Sequence, residues 1–334
     1  MKAIAALAIL LTAVSQSPPS AVPTGPLGVG RADYTWTDRG RGRELIVHVW
    51  HPTPLASRAW PVVVYSHGAG TPVATYTAKL DDLASHGYIV VAPEYPSDSS
   101  DPRRCQAAAG TAYDEMVEIG MRCLRDRAAI VAADIRFVLD RITEMNRTHS
   151  GSPDLGGRFD LTHLAAVGHS LGGFASLRAC QLDPRIIACV NEDGGTADGA
   201  FLQYPGASGP KQPILYVEAS LPSMSDQQLA TIGLTRAEWN ARLDRMVTVV
   251  HERQLQSSGS ASYKVALHAP GMQHGSFGDL YLTAPTEDAR RTALHNLEIC
   301  EAVTRAFLDK VLKGANGTLL DDDTRQPEIV VRRY

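Results

Sequence analysis

The chain has 334 residues, enough for one large α/β domain or two small ones around a sizeable buried core. Charged residues make up 20% of it and the net charge is only −4, with no basic block to attract nucleic acid and no acidic tract of the disordered kind. The Asp321-Asp322-Asp323 run has no second ligand cluster near it and reads as a solvated turn, and no cysteine spacing resembles a zinc site. Neither a metal nor another cofactor is implied.

In chain order, Lys2 comes first, followed by an apolar run over residues 3–14 that is too short to span a bilayer. Ala13 and Ser15 offer a small-residue cleavage site, and Pro18, Pro19 and Pro23 follow. Residues 1–15 therefore read as a secretory signal peptide and 16–29 as a flexible segment. Export to the periplasm or the medium is expected, with no integral membrane segment left after cleavage. An oxidising compartment makes disulfides possible for Cys105, Cys123, Cys180, Cys189 and Cys300. Cys105 and Cys123 flank one polar, irregular stretch and form the best candidate pair. Cys180 and Cys189 read as buried free thiols.

From about residue 30 the apolar runs come regularly. Residues 43–50 alternate, with Leu45 and Val47 on one face and Glu44, Ile46 and His48 on the other, as a half-buried antiparallel strand should. Residues 61–65 and 88–92 are continuous apolar runs, which suits parallel strands buried on both faces. Between them, residues 75–86 carry Tyr76, Leu80 and Leu83 at helical spacing, and a longer helix is expected over 125–145. Further strands are expected at 164–167, 186–190, 213–217 and 263–268, and a last helix at 286–313. This alternation predicts an α/β domain over 30–314, a doubly wound and mostly parallel sheet whose functional groups gather at the strands' C-terminal ends. Residues 315–334 read as a tail.

One segment, 219–262, breaks the rhythm and reads as a helical cap insertion. Its second helix opens with the capping-box pattern Thr235-Arg236-Ala237-Glu238 and carries a stripe of Trp239, Leu243, Met246 and Val250. Emerging on the sheet's C-terminal edge, it makes Trp239 a candidate substrate-binding residue.

The sharpest local signal is Gly168-His169-Ser170-Leu171-Gly172, set between a strand-like and a helix-like run. A tight turn here lifts the serine hydroxyl clear of the backbone, and the glycines let strand and helix pass closely. The bare pattern arises by chance in about one chain of this length in ten, so its context carries it. A serine becomes a nucleophile when a histidine takes its proton and a carboxylate orients that histidine. Of the downstream histidines, His251 and His295 fall within helical periodicity and His268 ends a strand, whereas His274 lies in a loop just beyond one. For the acid, the strand ending at Val190 leads into Asn191-Glu192-Asp193-Gly194, which offers Asp193 with Glu192 as its competitor; the strand ending at Val217 offers no aspartate on its turn. Backbone donors for an oxyanion are expected at Leu171 and at Ala69 in Ser66-His67-Gly68-Ala69-Gly70, with His67 holding that loop.

The stretches VVVYSHGAG, LDDLASHGYIVVAPEY, GHSLGG and MQHGSFGD resemble the platelet-activating factor acetylhydrolase family of serine esterases, with the dienelactone-hydrolase and polyester-hydrolase groups as wider relatives. The resemblance runs over about residues 30–314. It implies an α/β-hydrolase fold, a catalytic set of Ser170, Asp193 and His274, and calcium-independent cleavage of esters with short or modified acyl chains. The expected partner is a small-molecule or lipid-like ester. The alternatives are a cutinase-like polyester hydrolase using the same residues and a non-catalytic binding member of the fold. After Asp193 the sequence Gly194-Gly195-Thr196 lacks the bulky apolar residues of a lipid-facing rim.

Overall fold

A computed structural model of the chain describes residues 21–55, 58–96, 111, 113–150, 155–194, 209–219, 225–231, 233–246, 252–258, 261–321 and 327–334. The expected signal peptide, Cys105 and Val250 lie outside them. Nine strands form one sheet in the order β1-β2-β4-β3-β5-β6-β7-β8-β9. They are β1 Gly28–Asp38, β2 Arg43–Thr53, β3 Trp60–Ser66, β4 Ile89–Glu94, β5 Phe159–His169, β6 Ala188–Glu192, β7 Ile214–Ala219, β8 Tyr263–Leu267 and β9 Ile329–Arg333. Strands β3 to β8 run parallel; β1–β2, β2–β4 and β8–β9 pair antiparallel.

The parallel strands are buried on both faces, and their period of two divides the apolar residues between two cores. Along β3, Val62 and Val64 enter one core and Val63 and Tyr65 the other. The first core is covered by α2 Tyr113–Thr148, through Ile135, Val138, Leu139 and Ile142, and by α3 Leu171–Leu182, through Phe174 and Ala175. The second is covered by α1 Thr77–Ser85, through Leu80 and Leu83, and by α7 Glu287–Lys313, through Val303 and Phe307. Helix α7 has strong ends. Thr286 accepts from the Ala289 N–H at 3.2 Å, Glu287 and Asp288 occupy the first turn, and Gly314 closes the helix at φ 67°.

The structure departs from the expectations at the domain's margins. Thr24 donates to Asp82 at 2.8 Å and Gly25 to Ser85 at 3.0 Å, so the residues leading into β1 are pinned to α1. The segment expected as a tail supplies β9, which pairs with β8 from Leu267↔Ile329 to Tyr263↔Arg333. Helix α2 starts twelve residues before the expected position, across Gly120, whose cost in a helix interior hides the continuity. Between β7 and β8 the inserted segment contains α4 Asp226–Thr231, α5 Arg236–Met246 and α6 Glu252–Ser257. No helix among the described residues is long and apolar enough to cross a membrane.

Cysteine pairing also differs. Cys180 and Cys189 are joined in a disulfide, not left as buried thiols. Helix α3 ends at Leu182 and the chain turns straight back into β6, bringing the two Cα atoms within 6.4 Å. Cys123 is disulfide-bonded as well, and Cys300 is a buried free thiol.

Candidate functional site

Ser170 follows the last residue of β5 and precedes the first of α3. Its backbone sits at φ 55°, ψ −122°, a conformation that costs an L-residue on the order of 1–3 kcal/mol and persists only when its surroundings enforce it. Two contacts enforce it here: the Ser170 N–H donates to the Glu192 carbonyl at 2.9 Å, and the Ser170 carbonyl accepts from Phe174 at 3.1 Å. The glycine at 172 is obligatory. A Cβ there would stand 2.0 Å from the Ser66 carbonyl oxygen, because α3 runs directly over the end of β3. The strand-turn-helix context read around the serine is thus present.

His274 opens a short 3-10 turn, His274–Phe277, beyond β8. Its Nδ1 lies 2.7 Å from Asp193 Oδ2 and its Nε2 lies 3.0 Å from Ser170 Oγ. A carboxylate can only accept, so Nδ1 carries the hydrogen and, in the neutral ring, Nε2 is left to accept from the serine hydroxyl. Asp193 is held in its turn, at φ 47°, by its N–H donating to Val217 at 2.7 Å, and its Oδ1 accepts from the Ala219 N–H at 3.1 Å. Both carboxylate oxygens are engaged. The three residues converge at the C-terminal ends of β5, β6 and β8.

Glu192, the competing acid, points the other way. It is fully buried, with Oε1 accepting from Lys79 Nζ and Thr304 Oγ1 at 2.7 Å each and Oε2 accepting from the Tyr65 hydroxyl at 3.2 Å. Burial alone would lower the Lys79 pKa, but the Glu192 charge beside it prevails and raises it. Neighbouring residues at a strand's end face opposite sides, and here that geometry separates two carboxylates into two environments.

Ala69 lies in the loop after β3, and Leu171 opens α3, where a helix N–H has no partner within the helix. His67 spans the base of this loop. The Tyr95 N–H donates to its Nε2 at 3.0 Å, so its Nδ1 carries the hydrogen and donates to the Gly68 carbonyl at 2.8 Å. Burial lowers its pKa, which keeps the ring neutral. Trp239 stands on α5 and is half-buried; none of the hydrogen bonds within the cluster reaches it. His268 and His295 stand elsewhere: His268 donates its backbone N–H to the carbonyl of Glu328, whose side chain meets His295 Nε2 at 3.0 Å. His251 lies outside the described residues.

Sequence reasoning did not single out Lys79, Tyr76 or His169. Lys79 and Tyr76 fall in a run whose helical spacing reads as plain core, and nothing local shows that a lysine there meets a glutamate 113 positions on. His169 lay inside the quoted motif with no signal of its own. Among the described residues no group of three or more His, Cys, Asp or Glu side chains could hold a metal ion.

A sequence profile of the Alpha/beta hydrolase family matches residues 62–327, a span that includes Ser170, Asp193 and His274. The chain belongs to that family. Among curated proteins, this α/β hydrolase is similar to a platelet-activating factor acetylhydrolase of Canis lupus familiaris, with 28% identity over 156 residues covering 41% of this chain and 35% of that protein. It is also similar to a probable 1-alkyl-2-acetylglycerophosphocholine esterase of Arthroderma benhamiae, at 24% identity over 158 residues, 47% of this chain and 37% of that one. The chain thus spans about a third of the length of the curated relatives it matches. Among solved structures, a ferulic acid esterase from Streptomyces cinnamoneus superposes with a TM-score of 0.60 over 94% of this chain and 98% of that one. At 22% identity the likeness is one of fold.

Proposed function

We propose that this α/β hydrolase cleaves carboxylic esters with short or modified acyl chains through an acyl-enzyme. Ser170 Oγ attacks the ester carbonyl while His274 Nε2 takes its proton, and Asp193 steadies the imidazolium that results. The N–H groups of Ala69 and Leu171 donate to the carbonyl oxygen as it becomes negative. His274 then returns the proton to the departing alkoxide, so the alcohol leaves and the acyl group stays on Ser170. A water, deprotonated by His274 in turn, releases the acid and restores the serine. The observation that carries this reading is the hydrogen-bonded series from Asp193 to His274 to Ser170, at 2.7 and 3.0 Å, ending on a serine in a strained strand-to-helix turn. We also read residues 1–15 as a signal peptide and the protein as exported, a reading that the disulfide between Cys180 and Cys189 favours.

The test is hydrolysis of a p-nitrophenyl ester series from acetate to palmitate. Wild-type protein should turn over the short members, and Ser170→Ala should lower turnover about a millionfold while leaving the melting temperature nearly unchanged. A purified Ser170→Ala protein that keeps more than a few per cent of the activity would remove the serine from this role.

A further inference from the structure

Behind the Ser170–His274 pair, a second chain of hydrogen bonds runs from the His274 backbone to the loop that carries Ala69. The His274 carbonyl lies 2.7 Å from His169 Nε2. A carbonyl can only accept, so Nε2 carries the His169 hydrogen and Nδ1 of the neutral ring must accept. Its partner at 2.8 Å is the Tyr76 hydroxyl, which therefore donates. The same hydroxyl accepts from the Gly68 N–H at 3.2 Å and lies 3.1 Å from Thr71 Oγ1. Thr71 in turn donates to the Gly68 carbonyl, from Oγ1 at 2.9 Å and from its N–H at 3.3 Å, and His67 Nδ1 donates to that carbonyl at 2.8 Å.

That carbonyl and the Ala69 N–H belong to one peptide plane and point in opposite directions. Holding the first aims the second. We infer that Tyr76 and His169 are positioning residues that lock the Ala69 donor and the His274 base into one rigid frame, so that base and oxyanion donor keep a fixed separation. This inference rests on the ester-hydrolase reading.

The surroundings fit the role. Tyr76 and His169 are 1% and 5% exposed, and the His169 ring stands 4.6 Å from the His274 ring and 5.4 Å from Phe277, on which it stacks. Burial, reinforced by the neighbouring His274 ring, whose own protonation would oppose a second charge beside it, and by the Lys79 ammonium, holds the His169 pKa well below the histidine range. A neutral ring is what the arrangement requires. Protonated, His169 would have two donors facing the carbonyl and the hydroxyl, and Tyr76 would have to turn its hydrogen away from the ring.

The test combines kinetics with histidine and amide NMR on the full chain. Tyr76→Phe keeps the ring and deletes the hub; it should lower kcat for p-nitrophenyl acetate roughly 10- to 100-fold, with KM within about threefold. His169→Phe should do the same. His169→Gln, which can still donate to the His274 carbonyl, should recover part of the loss. In wild-type protein, nitrogen-15 spectra should show His169 as the Nε2–H tautomer, not titrating between about pH 5.5 and 9. Tyr76→Phe should end that constancy and remove exchange protection at the Gly68 amide. A Tyr76→Phe protein with kcat within about twofold of wild type, or a wild-type His169 that titrates in this range or carries its hydrogen on Nδ1, would overturn the inference. A wild-type chain inert to p-nitrophenyl acetate would instead overturn the hydrolase reading, while the His169 tautomer and the Gly68 amide would still decide whether the frame exists.

Discussion

Adjacent carboxylates at the end of β6 make contacts of different kinds, and substitution should separate them. Asp193 meets the ring of His274, whose side chain is 55% exposed, whereas Glu192 is sealed in with Lys79, Thr304 and Tyr65. Asp193→Asn removes the acceptor that selects the His274 tautomer, and kcat should fall by roughly four orders of magnitude with little change in stability. Glu192→Gln leaves the Lys79 ammonium buried without its counter-charge, which should cost about 3–5 kcal/mol of stability. Turnover per folded molecule should stay within about tenfold. Denaturant titration beside ester kinetics measures both effects. The opposite ranking, with Glu192→Gln the slower enzyme, would reassign the acid.

At the level of elements, what could be read from the chain was what local pattern encodes. The continuous apolar run of β3 and the turn from β5 into α3 carry their own signatures, and so do the three positions that meet at Ser170. The edge strands do not. In β9 only Ile329, Val330 and Val331 precede two arginines, and the strand stays largely exposed, so no burial pattern marks it. In β1 only Trp36 is buried, and Gly28 and Gly30 interrupt the alternation. The pairing of Cys180 with Cys189 depends on a helix turning straight back into a strand, which spacing alone does not express. Helix α5 remains the element whose part in recognition is open to direct measurement. If Trp239 roofs an acyl pocket, each buried methylene of the substrate contributes up to about 0.8 kcal/mol. Trp239→Ala should then lower kcat/KM for butyrate or hexanoate esters several-fold more than for acetate. An equal loss across the series would make α5 scaffold.

Across the whole molecule, stability should carry the mark of one buried acid. Glu301 on α7 is 8% exposed, with Oε1 unpaired, and faces Asp82, Lys79, Arg305 and Asp279. Burial, with the Asp82 charge adding to it, pushes its pKa up to about 8 from the ordinary 4.5. The folded chain therefore keeps a proton that the unfolded chain gives up. Stability from this group is intact below about pH 4.5 and is lost as pH rises to about 8, since the unfolded state binds fewer protons across that window. Glu301→Gln should flatten this slope and raise the Tm at pH 8.5 by roughly 5–10 °C relative to wild type, with almost no difference at pH 4.5. Scanning calorimetry of both proteins across that range is the check; parallel curves would mean that Glu301 ionises freely in the folded state. The register of the sheet has a further consequence, which concerns time. Strand β5 pairs with β3, laid down about a hundred residues earlier (Val62↔Leu164), while β8, which leads to His274, joins only through β7 (Leu215↔Tyr263). Non-local pairing of this kind is slow to form. During synthesis Ser170 and Asp193 leave the ribosome well before His274, so the hydrogen bonds that join the three cannot form until β8 has docked. Whatever chemistry the cluster performs is withheld until nearly the whole sheet exists.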